Sequence, residues 1–516
     1  MTLRFSADTV APVSSKGHAI DRISRIAGHP ALWLCCLAAA LAGEAGLLDH
    51  LSLSYDELFS IYFAEQGPGF LLGPGWHQET NPPLYFLLLD GWIGLFGDSA
   101  VAVRALSLLA GAATIWVVFR IARTLGLRQG AWLAAALFPT SALAARYAVM
   151  ARPYALWLLA VALALLALIE ASRAATPRRL AAWALAFAAA ALAALYLHNA
   201  TLVFLVVAEA AFLLDWLLRR RTEPRLLLAW LVPQLVLVAA LPQLLILFGQ
   251  RNSANIAWIP PLDMLGVIQI GLELLSGRPY PFGSFQAPAF LMTLALLLVL
   301  VPLRVQRDQL VVSSLVPLGV ALLIAAGLLL PRSALWLLLP IAVLQGAAIE
   351  SLRTRWLRLA LGGAAVLLAG LNTAACLWEY DPEPWHDFLG IVEAERRPED
   401  VIVLMNGAPA TALRYYQVGA GAAVYRWDAT EIDAPGTAIR GMDDHVMPLP
   451  SIDANGIEGL LRDGHGVWLI RRLRAQSQFH DVLAAQFPPD RRLSRYAVQV
   501  MHLPPHSPPA PATPPP

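Results

Sequence analysis

Apolar residues in this chain fall in blocks of about 17–23, the length of helix that crosses about 30 Å of hydrocarbon. The blocks lie near 31–49, 100–122, 130–145, 153–171, 180–197, 200–218, 226–248, 287–303, 310–330, 333–350 and 357–378. A soluble core would instead alternate strands, turns and amphipathic helices. The pattern predicts an α-helical polytopic membrane protein of about eleven transmembrane helices over 31–378. Pro233, Pro242, Pro317 and Pro340 interrupt blocks, which membrane helices tolerate because neighbours satisfy the freed backbone groups.

The remaining stretches are of different kinds. Residues 1–30 form a polar, mildly basic tail, and the run behind it lacks a small-residue cleavage site, so it is expected to stay as an anchor. Two interspan loops are long, 50–99 and 249–286. Within the first, 83–97 is apolar and aromatic and predicts a helix lying along the membrane surface. Residues 379–503 are mixed and charged. VIVLMNG (401–407) and GVWLIRR (466–472) there read as strands beside helices at 385–396 and 475–486, so a small α/β domain is expected. Residues 504–516 are Pro-rich and expected to be disordered.

Arginine placement orients the spans. With the N-terminus cytoplasmic, the inside loops hold Arg120, Arg123, Arg128, Arg173, Arg178, Arg179, Arg219 to Arg221, Arg225, Arg304, Arg307, Arg353, Arg355 and Arg358, and the tail holds Lys16, Arg22 and Arg25. The outside junctions hold only Arg104, Arg146, Arg152, Arg251, Arg278 and Arg332. This alternation follows the positive-inside rule and places both long loops and the C-terminal domain outside.

Composition agrees: the 516 residues are 58% hydrophobic and 14% charged, where soluble domains carry about 25% charged residues. The net charge of +1 implies no bulk electrostatic partner such as nucleic acid. Cys35, Cys36 and Cys376 lie inside apolar runs without metal-ligand spacing.

Candidate chemistry gathers on the outer side. The first loop opens LSLSYDELFSIYF, with Asp56 and Glu57 adjacent, and continues WHQETNPPLY, with His77, Glu79, Asn81 and Tyr85. Carboxylates so grouped can activate a hydroxyl or, as Asp56 with Glu79, hold a divalent cation; an ordinary solvated loop is the bland alternative. The edge AARYAVMARPYALW offers Arg146, Arg152 and Tyr154. A short turn carries Arg332, and LYLHNATLVF carries His198. Arginine at a bilayer edge is costly unless paired or wet, and its fork suits a phosphate. Snorkelling, or pairing with Asp56 or Glu79, explains it equally well. A lone His is more often a structural hydrogen-bonding residue.

These residues, in this order, resemble a known family. Asp56-Glu57 after the first span, Asn81-Pro82-Pro83-Leu84-Tyr85, Phe96-Gly97-Asp98-Ser99, Arg104, Ala151-Arg152-Pro153-Tyr154-Ala155-Leu156, and more weakly Tyr196-Leu197-His198-Asn199, Pro331-Arg332 and Glu383-Pro384-Trp385, are similar to bacterial GT-C glycosyltransferases of the protein mannosyltransferase-like and aminoarabinose-transferase-like group. The resemblance implies a GT-C fold in the bacterial inner membrane. It also implies a polyprenyl-phosphate-linked sugar donor and a lipid, polysaccharide or protein acceptor on the periplasmic face. Carried over, Asp56 is the expected base, with Glu57 and Glu79 supporting it. Arg152, Arg146 and Arg332 would hold the donor phosphate, and His77, Asn81, Tyr85, Tyr154 and His198 would line the substrate site. A divalent cation at Asp56 and Glu79 is the one cofactor implied. Nucleotide-sugar motifs and Rossmann glycine loops are absent, in keeping with a lipid donor. A flippase would need midplane charges or paired repeats of broken helices. A non-catalytic envelope-assembly protein would need no such acid and arginine set.

Overall fold

The structure is a computed structural model that describes residues 30–219, 223–250, 263–277, 286–296, 310–378, 383–405, 408–427, 449–472, 487–495 and 497–506. Seven of the described helices are long and apolar enough to cross a membrane: Ala100–Thr124, Tyr154–Arg173, Pro177–Leu197, Thr201–Leu218, Pro224–Gln250, Pro331–Glu350 and Arg355–Trp378. Each falls on an expected span. Shorter helices occupy the other expected positions, at Pro30–Gly46, Gln286–Ala295 and Leu310–Ala325. The expected N-terminal tail, most of the 249–286 loop, the second half of the 287–303 span, the helix at 475–486 and most of the Pro-rich end lie outside the described residues.

The third expected span is not one helix. It divides into Gln129–Leu137 and Ala142–Ala148, because Pro139 has no N–H to continue the ladder. Side chains satisfy the groups left over: Thr140 Oγ1 donates to the carbonyls of Ala136 and Leu137, and Thr373 Oγ1 donates to the Thr140 carbonyl at 2.6 Å. The break sets the second half off as a helix of its own, and that half carries Arg146 and Tyr147. The first half packs very closely on the helix Leu338–Glu350. A Cβ on Gly346 would stand 2.3 Å from the Gly130 carbonyl oxygen, so only glycine fits there. Glu350 then accepts from the N–H groups of Arg128 and Gly130, capping the first half from a neighbouring helix.

Pro224–Gln250 is also irregular. Val232–Ala240 winds as a 3₁₀-helix between the α-helical ends Pro224–Leu231 and Leu241–Gln250. At its far end Gln243 accepts from Trp76 Nε1 at 2.6 Å, and Gln250 donates to the carbonyls of His77 and Glu79. This helix thus fastens the first long loop. Within that loop 83–97, expected to be helical, forms the helix Leu84–Phe96, with Leu95 and Phe96 exposed and Tyr85, Phe86 and Leu89 buried.

The C-terminal domain holds one six-stranded sheet in the order β3-β2-β1-β4-β6-β5. The strands are β1 Val401–Leu404, β2 Val424–Trp427, β3 Ser451–Ile452, β4 Val467–Arg472, β5 Arg491–Arg495 and β6 Val498–Leu503. β3, β2, β1 and β4 run parallel, and β6 and β5 add antiparallel. The expected strands at 401–407 and 466–472 are β1 and β4, and the helix expected at 385–396 is Trp385–Glu395. Continuous apolar runs in β1 and β4 reflect burial on both faces. Val401, Val403, Val467 and Leu469 pack with Ile457 and Leu461. On the opposite face Ile402, Leu404, Trp468 and Ile470 pack with Trp385 and Leu389, in a core continuous with the membrane helices. The domain is thereby seated on the bundle.

Candidate active site

The helix Tyr55–Ala64 organises the site. Ser54 is its N-cap, and Glu57 reaches back to accept from the Ser54 N–H and Oγ at 2.9 and 3.0 Å. Successive residues on a helix point about 100° apart, so adjacent acids face different surroundings. Glu57 is 2% exposed, and both its oxygens are taken. Arg104 Nε meets Oε1 at 2.8 Å and Nη2 meets Oε2 at 3.0 Å, while the Ala151 N–H donates to Oε1 at 2.9 Å. Arg104 also donates to the carbonyls of Leu48, Leu51 and Ser52, tying the end of the first helix to this point. Burial alone would push the Glu57 carboxyl up. Arg104 and the N–H donors override it and hold the group below the usual range. Glu57, expected among the catalytic acids, is therefore a structural anchor with no oxygen left for chemistry.

Asp56 faces the other way. It is partly exposed, and among the described residues its carboxylate makes no hydrogen bond. Burial pushes its carboxyl up, but the charges of Arg152, Arg472, Arg332 and Arg146 prevail and hold it below the ordinary range. Three of those arginines are the ones expected to bind phosphate. The fourth, Arg472, ends β4 in the C-terminal domain. Arg152 is 6% exposed. Its Nη1 donates to the Asp56 carbonyl and to Ser60 Oγ at 3.2 and 2.9 Å, and its face lies 6.0 Å from the Tyr154 ring. Its Nε is buried with no partner among the described residues. An unmet buried donor is costly, and one on a guanidinium beside a cluster of positive charge is suited to an anionic oxygen.

Glu79 lies within electrostatic reach of Arg152. Its Oε1 accepts from Thr80 Oγ1 and from Asn81 N and Nδ2, the last at 2.7 Å. Asn81 thus orients Glu79 within its own loop. Asn199 Nδ2 donates to the Thr80 carbonyl and receives Gln243 Nε2 on its Oδ1. Tyr85 is fully buried, in electrostatic reach of Arg152 and Glu57, and forms wall and not surface. Tyr154 is buried against Tyr147, with ring centroids 4.4 Å apart. His198 stacks on Trp157 at 4.6 Å, and its Nδ1 accepts the Ala200 N–H. Burial, with Arg332 and Arg152 nearby, pushes its pKa down to about 3, so it stays neutral. The His77 side chain is exposed, and the contact it makes is through its backbone carbonyl.

The residues do not suit a divalent cation. Asp56 sits under four positive charges, and Glu79 already shares an oxygen among three donors. Among the described residues no three His, Cys, Asp or Glu gather as ligands. The expected Asp56 and Glu79 cation site has an electrostatic setting that repels metal and attracts anions.

Arg472 and its partner Glu383 were not singled out as site residues by sequence reasoning. Within GVWLIRR, Arg472 reads as an ordinary strand-end arginine, and no local signal shows what it faces.

If Arg152 helps hold Asp56 ionised, Arg152→Gln raises the carboxyl toward its ordinary range. The acid limb of a pH–activity profile then moves to higher pH. The same change weakens phosphate-lipid binding by roughly 10- to 100-fold, the worth of a charge-assisted contact. Unchanged binding and an unmoved limb would remove Arg152 from the site.

Residues 80–246 match the family model for dolichyl-phosphate-mannose-protein mannosyltransferase. No curated protein matches the chain in sequence. Among solved structures, ArnT from Cupriavidus metallidurans in the apo state aligns with a TM-score of 0.59 at 14% identity, over 91% of this chain and 97% of that one. ArnT bound to undecaprenyl phosphate aligns with a TM-score of 0.53 at 15% identity, with the same coverage of both chains. The structural likeness gives the fold and the family-model match gives the activity: the chain is a multi-pass membrane glycosyltransferase of GT-C fold.

Proposed function

We propose that the chain moves a sugar from a polyprenyl-phosphate-linked donor to an acceptor at the periplasmic face of the bacterial inner membrane. In this reading the N-terminus is cytoplasmic and the C-terminal domain periplasmic, as the arginine distribution favours. The observation that carries the reading is the Asp56 carboxylate, without a hydrogen bond of its own among the described residues, set among Arg146, Arg152, Arg332 and Arg472. The undecaprenyl phosphate held by ArnT supports the donor class.

The chemistry follows from the charges. The acceptor oxygen attacks the anomeric carbon as its proton passes to Asp56, and the bond from that carbon to the donor phosphate oxygen breaks. Negative charge then collects on the departing phosphate, where preorganised guanidinium groups stabilise it most. The buried Nε of Arg152 is a donor ready for such an oxygen. A carboxylate with a lowered pKa is ionised at neutral pH but only modestly basic. Proton transfer therefore accompanies attack, when the acceptor proton has become acidic. Neutral His198 and Tyr154 would form the wall beside Arg152. The polyprenyl tail would remain in lipid beside the Leu84–Phe96 helix, whose exposed apolar face fits the membrane surface.

Mass spectrometry of envelope glycolipids and glycoproteins tests this. Cells lacking the chain should lose one sugar-bearing species, and the intact chain should restore it. Identical profiles with and without the chain would overturn the reading.

A further inference from the structure

The helix that carries Asp56 begins with backbone N–H groups that no helical carbonyl can satisfy. Glu57, paired with Arg104, takes the N–H of Ser54 from the membrane side. The next N–H, that of Tyr55, donates at 2.7 Å to Glu383 Oε2, from the opening of the C-terminal domain. Glu383 is 4% exposed. The same Oε2 accepts from Trp385 Nε1 at 2.9 Å, and Oε1 receives Arg472 Nε and Nη2 at 2.9 and 2.6 Å. The Arg472 guanidinium lies 5.0 Å from the centre of the Tyr55 ring. One carboxylate thus fixes three things at once: the first turn of the helix, the indole of Trp385, and the arginine that ends β4.

We propose that Glu383 and Arg472 are positioning residues of the transferase site. Through them the C-terminal domain holds the first turn of the Asp56 helix and supplies the fourth positive charge beside the base. This rests on the functional reading above. Further contacts seat the same domain on the same loop. Arg414 pairs with Glu65 at 2.8 Å, Tyr415 donates to the Asp98 carbonyl, and the Tyr416 hydroxyl accepts the Leu53 N–H. Those contacts anchor the domain, whereas the Glu383 and Arg472 pair touches the residue next to the base. The lowered carboxyl of Asp56, to which Arg472 contributes, agrees with the placement.

The test uses the full chain in nanodiscs, with undecaprenyl phosphate as the probe and amide exchange over 53–60 as the second readout. Arg472→Gln should weaken undecaprenyl phosphate binding about tenfold, the effect of one charge at partly desolvated range. Arg472→Lys keeps the charge without the fork, so it should restore most of that binding while the paired geometry stays impaired. A merely structural arginine would give the two variants the same affinity. Glu383→Gln should speed exchange at the Tyr55 amide about tenfold or more. Binding by Arg472→Gln equal to that of the intact chain, or Tyr55 exchange unchanged by Glu383→Gln, would overturn the proposal. Failure of the functional reading looks different: the intact chain and Arg152→Gln would then bind undecaprenyl phosphate equally poorly.

Discussion

Asp56→Asn should lower sugar transfer by about 10²- to 10⁴-fold, the range expected when a general base is removed. The substitution keeps the shape and removes the lone pair that takes the proton. It also removes a negative charge that Arg146, Arg152, Arg332 and Arg472 all face. Two further results follow if Asp56 acts as base. Undecaprenyl phosphate should bind at least as tightly as before, because a repelling charge near the phosphate has gone. Folding should lose only the attraction between that charge and the arginines, since no described hydrogen bond to the Asp56 carboxylate is lost. Turnover rate and lipid binding, measured on the same purified sample, check both. Full turnover by the variant would remove Asp56 as base. Equal loss of binding and turnover would make it a binding residue.

Glu57→Gln should cost the fold about 3–5 kcal/mol, the usual penalty for breaking a buried ion pair from one side. The pair side chains are 2% and 3% exposed, and the guanidinium of Arg104 would be left charged and enclosed. The sign with pH is fixed by the depressed carboxyl of Glu57. Its stabilisation is complete above the ordinary glutamate range and is lost as pH falls through the lower folded value. Denaturant or thermal unfolding in detergent measures the loss. The double variant Glu57→Leu with Arg104→Met should recover much of it, because apolar replacement of a buried pair is often neutral or better. A stable single variant would show that the pair does not hold the first loop.

Some of this was legible in the sequence. Asp56, Arg146, Arg152 and Arg332 share the outer ends of spans, and charge at a span end has few destinations. The structure brings all four to one place. Glu57 was misleading, since adjacency along a chain reads as partnership whereas one step along a helix turns a side chain by about 100°. The split of the third span did have a signal, Pro139, inside a run otherwise rich in alanine and leucine. Arg472 had none, and Glu383 had only its place in the Glu383-Pro384-Trp385 resemblance, which does not say what it faces. They are distant in sequence from the first loop, and only the seating of the sheet on the bundle makes them neighbours of Asp56. The expected cation site rests on a pairwise reading of two acids, and the sequence does not show the positive charges that surround Asp56.

The tight winding of Val232–Ala240 changes how far a helix can reach. A 3₁₀ turn rises about 2.0 Å per residue against 1.5 Å in an α-helix. Over these nine residues the gain is about 4–5 Å, and the helix Pro224–Gln250 extends about 45 Å in all. That exceeds the roughly 30 Å of hydrocarbon by several turns. Near the end of this length Gln243 and Gln250 grip the Trp76 to Glu79 stretch. The reach from the start of this helix to the acidic loop is therefore set by helical pitch, so one helix acts as a ruler for where that loop is held.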